Sequence, residues 1–138
     1  MIIGCESHFD AAHRLSNYDG KCRNLHGHRY RVEVEFSGGL DASSGMVMDF
    51  ADLKKCVNRV ADGFDHAVIL NDQDEPLISD LEDNMCEVVT VEGEPTAENL
   101  ALCFYVILES ELRDARPSEG WKFRVRLYET PTNFAEYP

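Results

Sequence analysis

Three of the five histidines in this 138-residue chain, His13, His26 and His28, stand where two strands could gather them around one point. His26 and His28 are separated by Gly27 alone, and residues two apart on an extended chain share a face. His13 closes a run in which Ile3, Cys5, Phe9 and Ala11 take every second position apart from Ser7, so it continues an inward phase. If the two runs pair as an antiparallel hairpin, the end of the first lies beside the start of the second and the imidazoles converge. Three nitrogen donors with one position left free form the donor set of a catalytic zinc site, unlike the closed four-ligand set of a structural one. One histidine in such a run is more often a hydrogen-bonded core residue, but three in phase at one end reverse those odds.

Other reactive groups cluster nearby in sequence. Cys22 lies in the connection between the two runs, and its neighbours Lys21 and Arg23 favour a thiolate able to act as base or nucleophile. Cys5, Cys56, Cys86 and Cys103 fall in strand or helix patterns and read as packing residues. Asp65 and His66 are adjacent, an acid and an imidazole that could relay a proton if the fold aims them, although adjacency alone is weak evidence and a hydrogen bond at a helix end is the commoner reading of such a pair in isolation. Glu129 falls in the apolar phase of the last strand, where a carboxylate must find donors to stay ionised or else the strand must fray before it.

Recognisable elements position these groups. After His28, Tyr30, Val32, Val34 and Phe36 alternate with Arg29, Arg31, Glu33 and Glu35, which is a strand with one buried face, and Gly38-Gly39 ends it. Phe50, Leu53, Val57, Val60 and Phe64 recur at helical spacing, with Asp49 placed to cap the start and Gly63 near the end. A second helix begins at Thr96, after Pro95, and carries Leu100, Phe104, Ile107, Leu108 and Leu112 on one stripe; Pro117 stops it. Asn71 to Asn84 is acidic and aperiodic, Cys86 to Glu92 is β-branched enough for a short strand, and Trp121, Phe123, Val125 and Leu127 mark the last clear strand.

The length suits one domain over residues 1–138. Met1 to His8 show neither a positive n-region nor an apolar h-region, no run is long and apolar enough to span a bilayer, and five widely spaced cysteines without a C-x-x-C pair fit reduced thiols, so an unexported, cytoplasmic protein is expected. A net charge of −13 argues against nucleic-acid and anionic-membrane partners, which need a basic footprint. Between His13 and Arg31, however, Arg14, Lys21, Arg23, Arg29 and Arg31 face the single acid Asp19, a basic island that could draw a small anion or could equally be solvated charge.

Taken together, Phe9-Asp-Ala-Ala-His13, Lys21-Cys22-Arg-Asn-Leu-His26-Gly-His28, Gly45-Met-Val-Met-Asp49-Phe50, Phe64-Asp65-His66, Pro95-Thr96-Ala-Glu98-Asn99-Leu100 and Tyr128-Glu129-Thr130 resemble the 6-pyruvoyl/6-carboxy-tetrahydropterin synthase family over nearly the whole chain. The resemblance implies an α+β tunnelling fold of order β-β-α-α-β-β, with an antiparallel sheet and two helices on one face, assembled as a homohexamer of two trimers. It implies a zinc lyase with His13, His26 and His28 as metal ligands, Cys22, Asp65 and His66 as catalytic residues, and Glu129, Thr96 and Glu98 as binders of a pterin triphosphate. Only three residues separate Cys22 from His26, which favours the 6-carboxy branch of queuosine biosynthesis, acting on 7,8-dihydroneopterin triphosphate, over the pyruvoyl-forming branch. Ala67 departs from the larger polar residue of many relatives, and Asn71 to Glu94 is longer than the matching connection of compact members. A cupin site is the rival of another fold, but Glu33 is out of phase with the histidines; a non-catalytic zinc-binding protein of the same fold is the remaining alternative.

Overall fold

The structure, a computed structural model, describes residues 1–138. Two strands of twelve residues, β1 (Ile2–His13) and β2 (His26–Ser37), pair antiparallel along their full length, from Ile2 opposite Ser37 to His13 opposite His26. Their alternation is the one the sequence predicts: Phe9, Ala11 and His13 of β1 and Tyr30, Val32, Val34 and Phe36 of β2 are buried. The intervening odd residues of β2 point the other way, and Glu33 pairs there with Arg31 and Arg126, away from the histidines. A cupin-type ligand set is therefore not formed.

Helix α1 (Phe50–Asp62) starts where Asp49 accepts a hydrogen bond from the Ala51 amide and stops at Gly63. Strand β3 (Val68–Asn71), helix α2 (Glu75–Asp83) and strand β4 (Val88–Val91) follow, before helix α3 (Ala97–Ala115), whose start Thr96 caps through the Asn99 amide. Strands β5 (Lys122–Tyr128) and β6 (Phe134–Tyr137) complete the sheet, ordered β4-β3-β1-β2-β5-β6.

Two features depart from the expectation. The sheet is mixed, because β3 runs parallel to both β1 and β4, and a third helix, α2, occupies the stretch that reads as aperiodic. The β4 strand does fall within the β-branched run noted in the sequence. The α+β class and the tunnelling-fold order survive, with β3, α2 and β4 inserted between the two long helices. Helices α1 and α3 pack on the buried face of the sheet and close one apolar cluster around Tyr30, Phe36, Leu53, Phe104 and Leu108, all essentially inaccessible to solvent. Burying each such side chain stabilises the fold by about 1.5–3 kcal/mol before chain entropy is counted. No helix is long and apolar enough to cross a membrane.

Candidate metal centre and active site

The hairpin register brings His13 directly opposite His26, and His28 lies one pleat further along the same face. One nitrogen from each of the three rings falls within 4.8 Å of the others. Tyr30, fully buried, forms the floor beneath them, edge-on to His13 and His28 at 5.9 and 5.6 Å and stacked on Phe9 at 4.9 Å.

Hydrogen bonding at the far side of two rings fixes what they offer. His13 Nδ1 lies 2.9 Å from the Pro95 carbonyl oxygen and His26 Nδ1 lies 2.7 Å from that of Asn24. A carbonyl only accepts, so both Nδ1 atoms carry the hydrogen and, in the neutral rings, both Nε2 atoms carry a lone pair. Those two Nε2 atoms face each other at 3.1 Å. Burial pushes the His13 pKa below its ordinary value, with the neighbouring His26 and His28 adding to that and Pro95 and Glu129 opposing, so its neutral form is favoured. Lone pairs so close repel unless a cation lies between them, and two nitrogens bound at 2.0–2.1 Å to a tetrahedral zinc stand about 3.3 Å apart. The donor set fits a divalent zinc ion.

His28 completes the trio. Burial lowers its pKa too, Glu129 opposing, and its Nε2 makes no hydrogen bond, while Glu129 Oε1 lies 3.5 Å away. Glu129 follows β5 in the phase of Phe123, Val125 and Leu127, which carries its carboxylate to this end of the sheet. With His28 and Thr130 it borders a cleft of about 480 Å³ that also reaches His8, Arg29, Arg31 and Tyr128.

Cys22 sits in a single 3-10 turn, Lys21–Arg23, and its carbonyl accepts from the Leu15 amide at 2.9 Å. That bond ties it two residues beyond His13 and four before His26, at the end of the hairpin that carries the three histidines. Thr96 adjoins Pro95 and so lies beside the site, but its hydroxyl oxygen is engaged in capping α3. Glu98 is exposed in the first turn of α3 and makes no side-chain hydrogen bond or ion pair.

Asp65 and His66 form a pinned pair. The Asp10 amide donates to Asp65 Oδ1 at 2.8 Å, the His66 amide donates to the Asp10 carbonyl at 2.7 Å, and His66 Nδ1 lies 2.7 Å from Asp65 Oδ2. The Asp10 amide and then His66 hold the Asp65 carboxyl below the usual range. His66 adopts φ +60°, a left-handed conformation that costs about 1–3 kcal/mol and that the grip on Asp10 enforces. The pair does not reach the histidines of its own chain: Asp10 lies three residues, roughly 10 Å, before His13 on the strand, and the His66 side chain is 81% exposed.

The basic island is partly spent internally. Arg14 makes a bidentate pair with Asp74, at 2.7 and 2.5 Å, and Arg31 pairs with Glu33 while covering the Tyr128 ring, so only Lys21, Arg23 and Arg29 stay without an ion pair. Sequence reasoning passed over Asp74, Glu94 and the Pro95 carbonyl. The one signal was the Glu-Pro-Thr run before α3, whose proline limits the backbone around the carbonyl that holds His13.

Comparison with known proteins bears on this site. The family model described as 6-pyruvoyl tetrahydropterin synthase matches residues 2–138. The chain is 39% identical over 142 residues to the 6-carboxy-5,6,7,8-tetrahydropterin synthase of Haemophilus influenzae, covering 98% of this chain and 96% of that one. It is 35% identical over 133 residues to the protein of that name from Rickettsia bellii, covering 93% of each. Among solved structures, Caenorhabditis elegans 6-pyruvoyl tetrahydropterin synthase superposes with a TM-score of 0.70 at 30% identity, over 99% of this chain and 94% of that one. The Plasmodium vivax protein of that name, 22% identical with a TM-score of 0.77 over 99% and 97% of the two chains, shares the fold. Matched from end to end in sequence and in three dimensions, the chain belongs to the 6-pyruvoyl tetrahydropterin synthase family.

Proposed function

We propose that this protein is a zinc-dependent lyase that converts 7,8-dihydroneopterin triphosphate into 6-carboxy-5,6,7,8-tetrahydropterin, acetaldehyde and triphosphate, in the cytoplasm, on the route to queuosine and other 7-deazaguanines. The observation that carries the metal part is the pair of Nε2 lone pairs facing each other at 3.1 Å, with His28 beside them. The choice of branch is supported by the relatives named 6-carboxy-5,6,7,8-tetrahydropterin synthase and by the three-residue gap between Cys22 and His26.

His13, His26 and His28 would hold the ion, which when bound supplies a Lewis acid that makes the oxygens of the substrate side chain more acidic. Cys22 then takes or returns a proton at the adjacent carbon from the loop above the cluster. Glu129 accepts N–H hydrogens of the pterin ring, which orients the side chain towards His28, and Thr96 and Glu98 border the ring from the start of α3. His66, its Nδ1 held by Asp65, exchanges a second proton through Nε2. Because His66 is exposed and remote from the histidines of its own chain, the reading includes a homo-oligomer, two trimers forming a hexamer, in which one chain's pair serves a neighbour's cluster. Lys21, Arg23 and Arg29 remain to meet the triphosphate.

The test is to incubate zinc-loaded protein and a Cys22→Ala variant with 7,8-dihydroneopterin triphosphate and to identify the pterin by mass spectrometry alongside an acetaldehyde assay. The proposal expects carboxy-tetrahydropterin and acetaldehyde from the wild type alone. A pyruvoyl product moves the protein to the sister branch, and no turnover by zinc-loaded wild type overturns the enzymatic reading.

A further inference from the structure

The ring of His13 is aimed by the Pro95 carbonyl, and that carbonyl is itself held by its neighbour. Glu94 precedes it, and the Glu94 carboxylate is the most heavily engaged acid in the protein. It accepts from the Ser16 amide and hydroxyl, each at 2.6 Å, from Asn17 Nδ2 at 2.8 Å and the Asn17 amide at 3.3 Å, and from Asn71 Nδ2 at 3.1 Å. The Glu94 carbonyl in turn accepts from Asn99 Nδ2 at 2.8 Å and from the Thr96 amide at 2.8 Å.

These contacts join three elements that share one ligand. Ser16 and Asn17 lie three and four residues beyond His13, just past the end of β1. Asn71, 6% exposed, ends β3, the strand whose Ile69 pairs with His13. Asn99 lies in the first turn of α3, which Thr96 caps. One carboxylate thus grips the chain just after the ligand and sits one residue before the carbonyl that receives the ligand's far N–H.

We propose that Glu94 is a positioning residue for the metal centre: by clasping Ser16, Asn17 and Asn71 it fixes both the His13 backbone and the Pro95 carbonyl that sets the direction and tautomer of the His13 ring. The inference rests on the reading of His13, His26 and His28 as metal ligands. Outer-shell partners of this kind hold a ligand lone pair on the ion, and losing one typically costs 10- to 100-fold in metal affinity. A clasp that served only the stability of the loop would lower the melting temperature and leave the affinity of the folded apo protein unchanged.

The experiment measures Co²⁺ affinity of the full-length apo protein by competition with a chromophoric chelator, for wild type, Glu94→Gln and the neighbouring exposed Glu92→Gln. Circular dichroism checks that each is folded. Glu94→Gln swaps an acceptor oxygen for an NH₂ facing the donors of Ser16 and Asn17, and its affinity should fall at least tenfold while Glu92→Gln stays within twofold of wild type. A folded Glu94→Gln protein that binds cobalt within twofold of wild type overturns the proposal. Should that variant not fold, Asn17→Ala removes the exposed Nδ2 donor of the same clasp and leaves the backbone amide in place, with a severalfold loss expected and an unchanged affinity decisive against it. Long-range ¹H–¹⁵N spectra of the apo proteins give a second readout that needs no metal: His13 should be the Nδ1–H tautomer in wild type and a mixture in Glu94→Gln. If the wild type binds no cobalt the metal reading falls by itself, and an unchanged His13 tautomer in Glu94→Gln then overturns the positioning role.

Discussion

Replacing Asp74 by Ala leaves the Arg14 guanidinium without the carboxylate that receives its Nε and Nη2. Two unit charges about 4 Å apart attract by about 4 kcal/mol at an effective dielectric constant of about 20. Removing one partner of a wholly buried pair costs about 3–5 kcal/mol, because the other charge stays desolvated. Asp74 is 7% exposed but the Arg14 side chain is 29% exposed and regains part of its hydration, which lowers the expected loss to about 2 kcal/mol. The Asp74 side chain makes no capping bond to α2, so the helix start is not lost with it. With an unfolding entropy of about 2.1 cal/mol/K per residue over 138 residues, about 2 kcal/mol corresponds to a fall of about 7 °C in melting temperature. Urea denaturation at one fixed protein concentration measures the loss free of changes in assembly, and the double variant Arg14→Leu/Asp74→Leu should recover most of it. A loss below about 0.5 kcal/mol, the value of a surface pair, would refute the reasoning that burial of Asp74 makes this pair worth more than a solvated one.

Other perturbations separate the parts of the site. Glu129→Gln should lower kcat/KM about 100-fold, the worth of a charge-assisted hydrogen bond of about 3 kcal/mol, while bound zinc measured by elemental analysis stays unchanged. His66→Ala should abolish turnover with zinc content and melting temperature near wild type, since the ring is exposed and its polar partner is Asp65. Burial alone would raise the Glu94 pKa, but hydrogen bonds from Ser16, Asn71 and the Ser16 and Asn17 amides outweigh it and hold the group below its ordinary value. Its folded pKa being the lower one, its contribution is complete above the unfolded value of about 4.3 and is lost as pH falls through the folded value. Denaturation between pH 6 and 3 should therefore show a larger loss of stability in wild type than in Glu94→Gln.

What the sequence revealed follows from where periodicity is strong. β1, β2 and β5 each bury one face, so alternation announces them and carries His13, His28 and Glu129 to the same end; α1 and α3 have full apolar stripes and side-chain caps at Asp49 and Thr96. β3 is Val-Ile-Leu-Asn, interior to the sheet with Ile69, Leu70 and Asn71 all buried, so no polar residue marks a second face. α2 buries only Ile78 and has no stripe to detect. The histidine cluster was legible because its members are strand residues in phase. The groups that orient it were not, because every residue carries a carbonyl, so that of Asn24 is unmarked and that of Pro95 is flagged by its proline alone, and Asp74 and Glu94 act across 60 and 78 residues. Counting charges likewise overstated the basic island, since the acids that neutralise Arg14 and Arg31 lie outside the window that defines it.

The most direct test is a titration of apo protein with zinc while turnover of 7,8-dihydroneopterin triphosphate is followed. Ring nitrogens from three histidines within 4.8 Å of one another predict that activity rises linearly and reaches its plateau at one zinc per chain, and that His13→Ala never approaches that plateau. Turnover in the apo protein that zinc leaves unchanged, or full activity in His13→Ala, would contradict the claim that these three rings hold the ion on which the reaction depends.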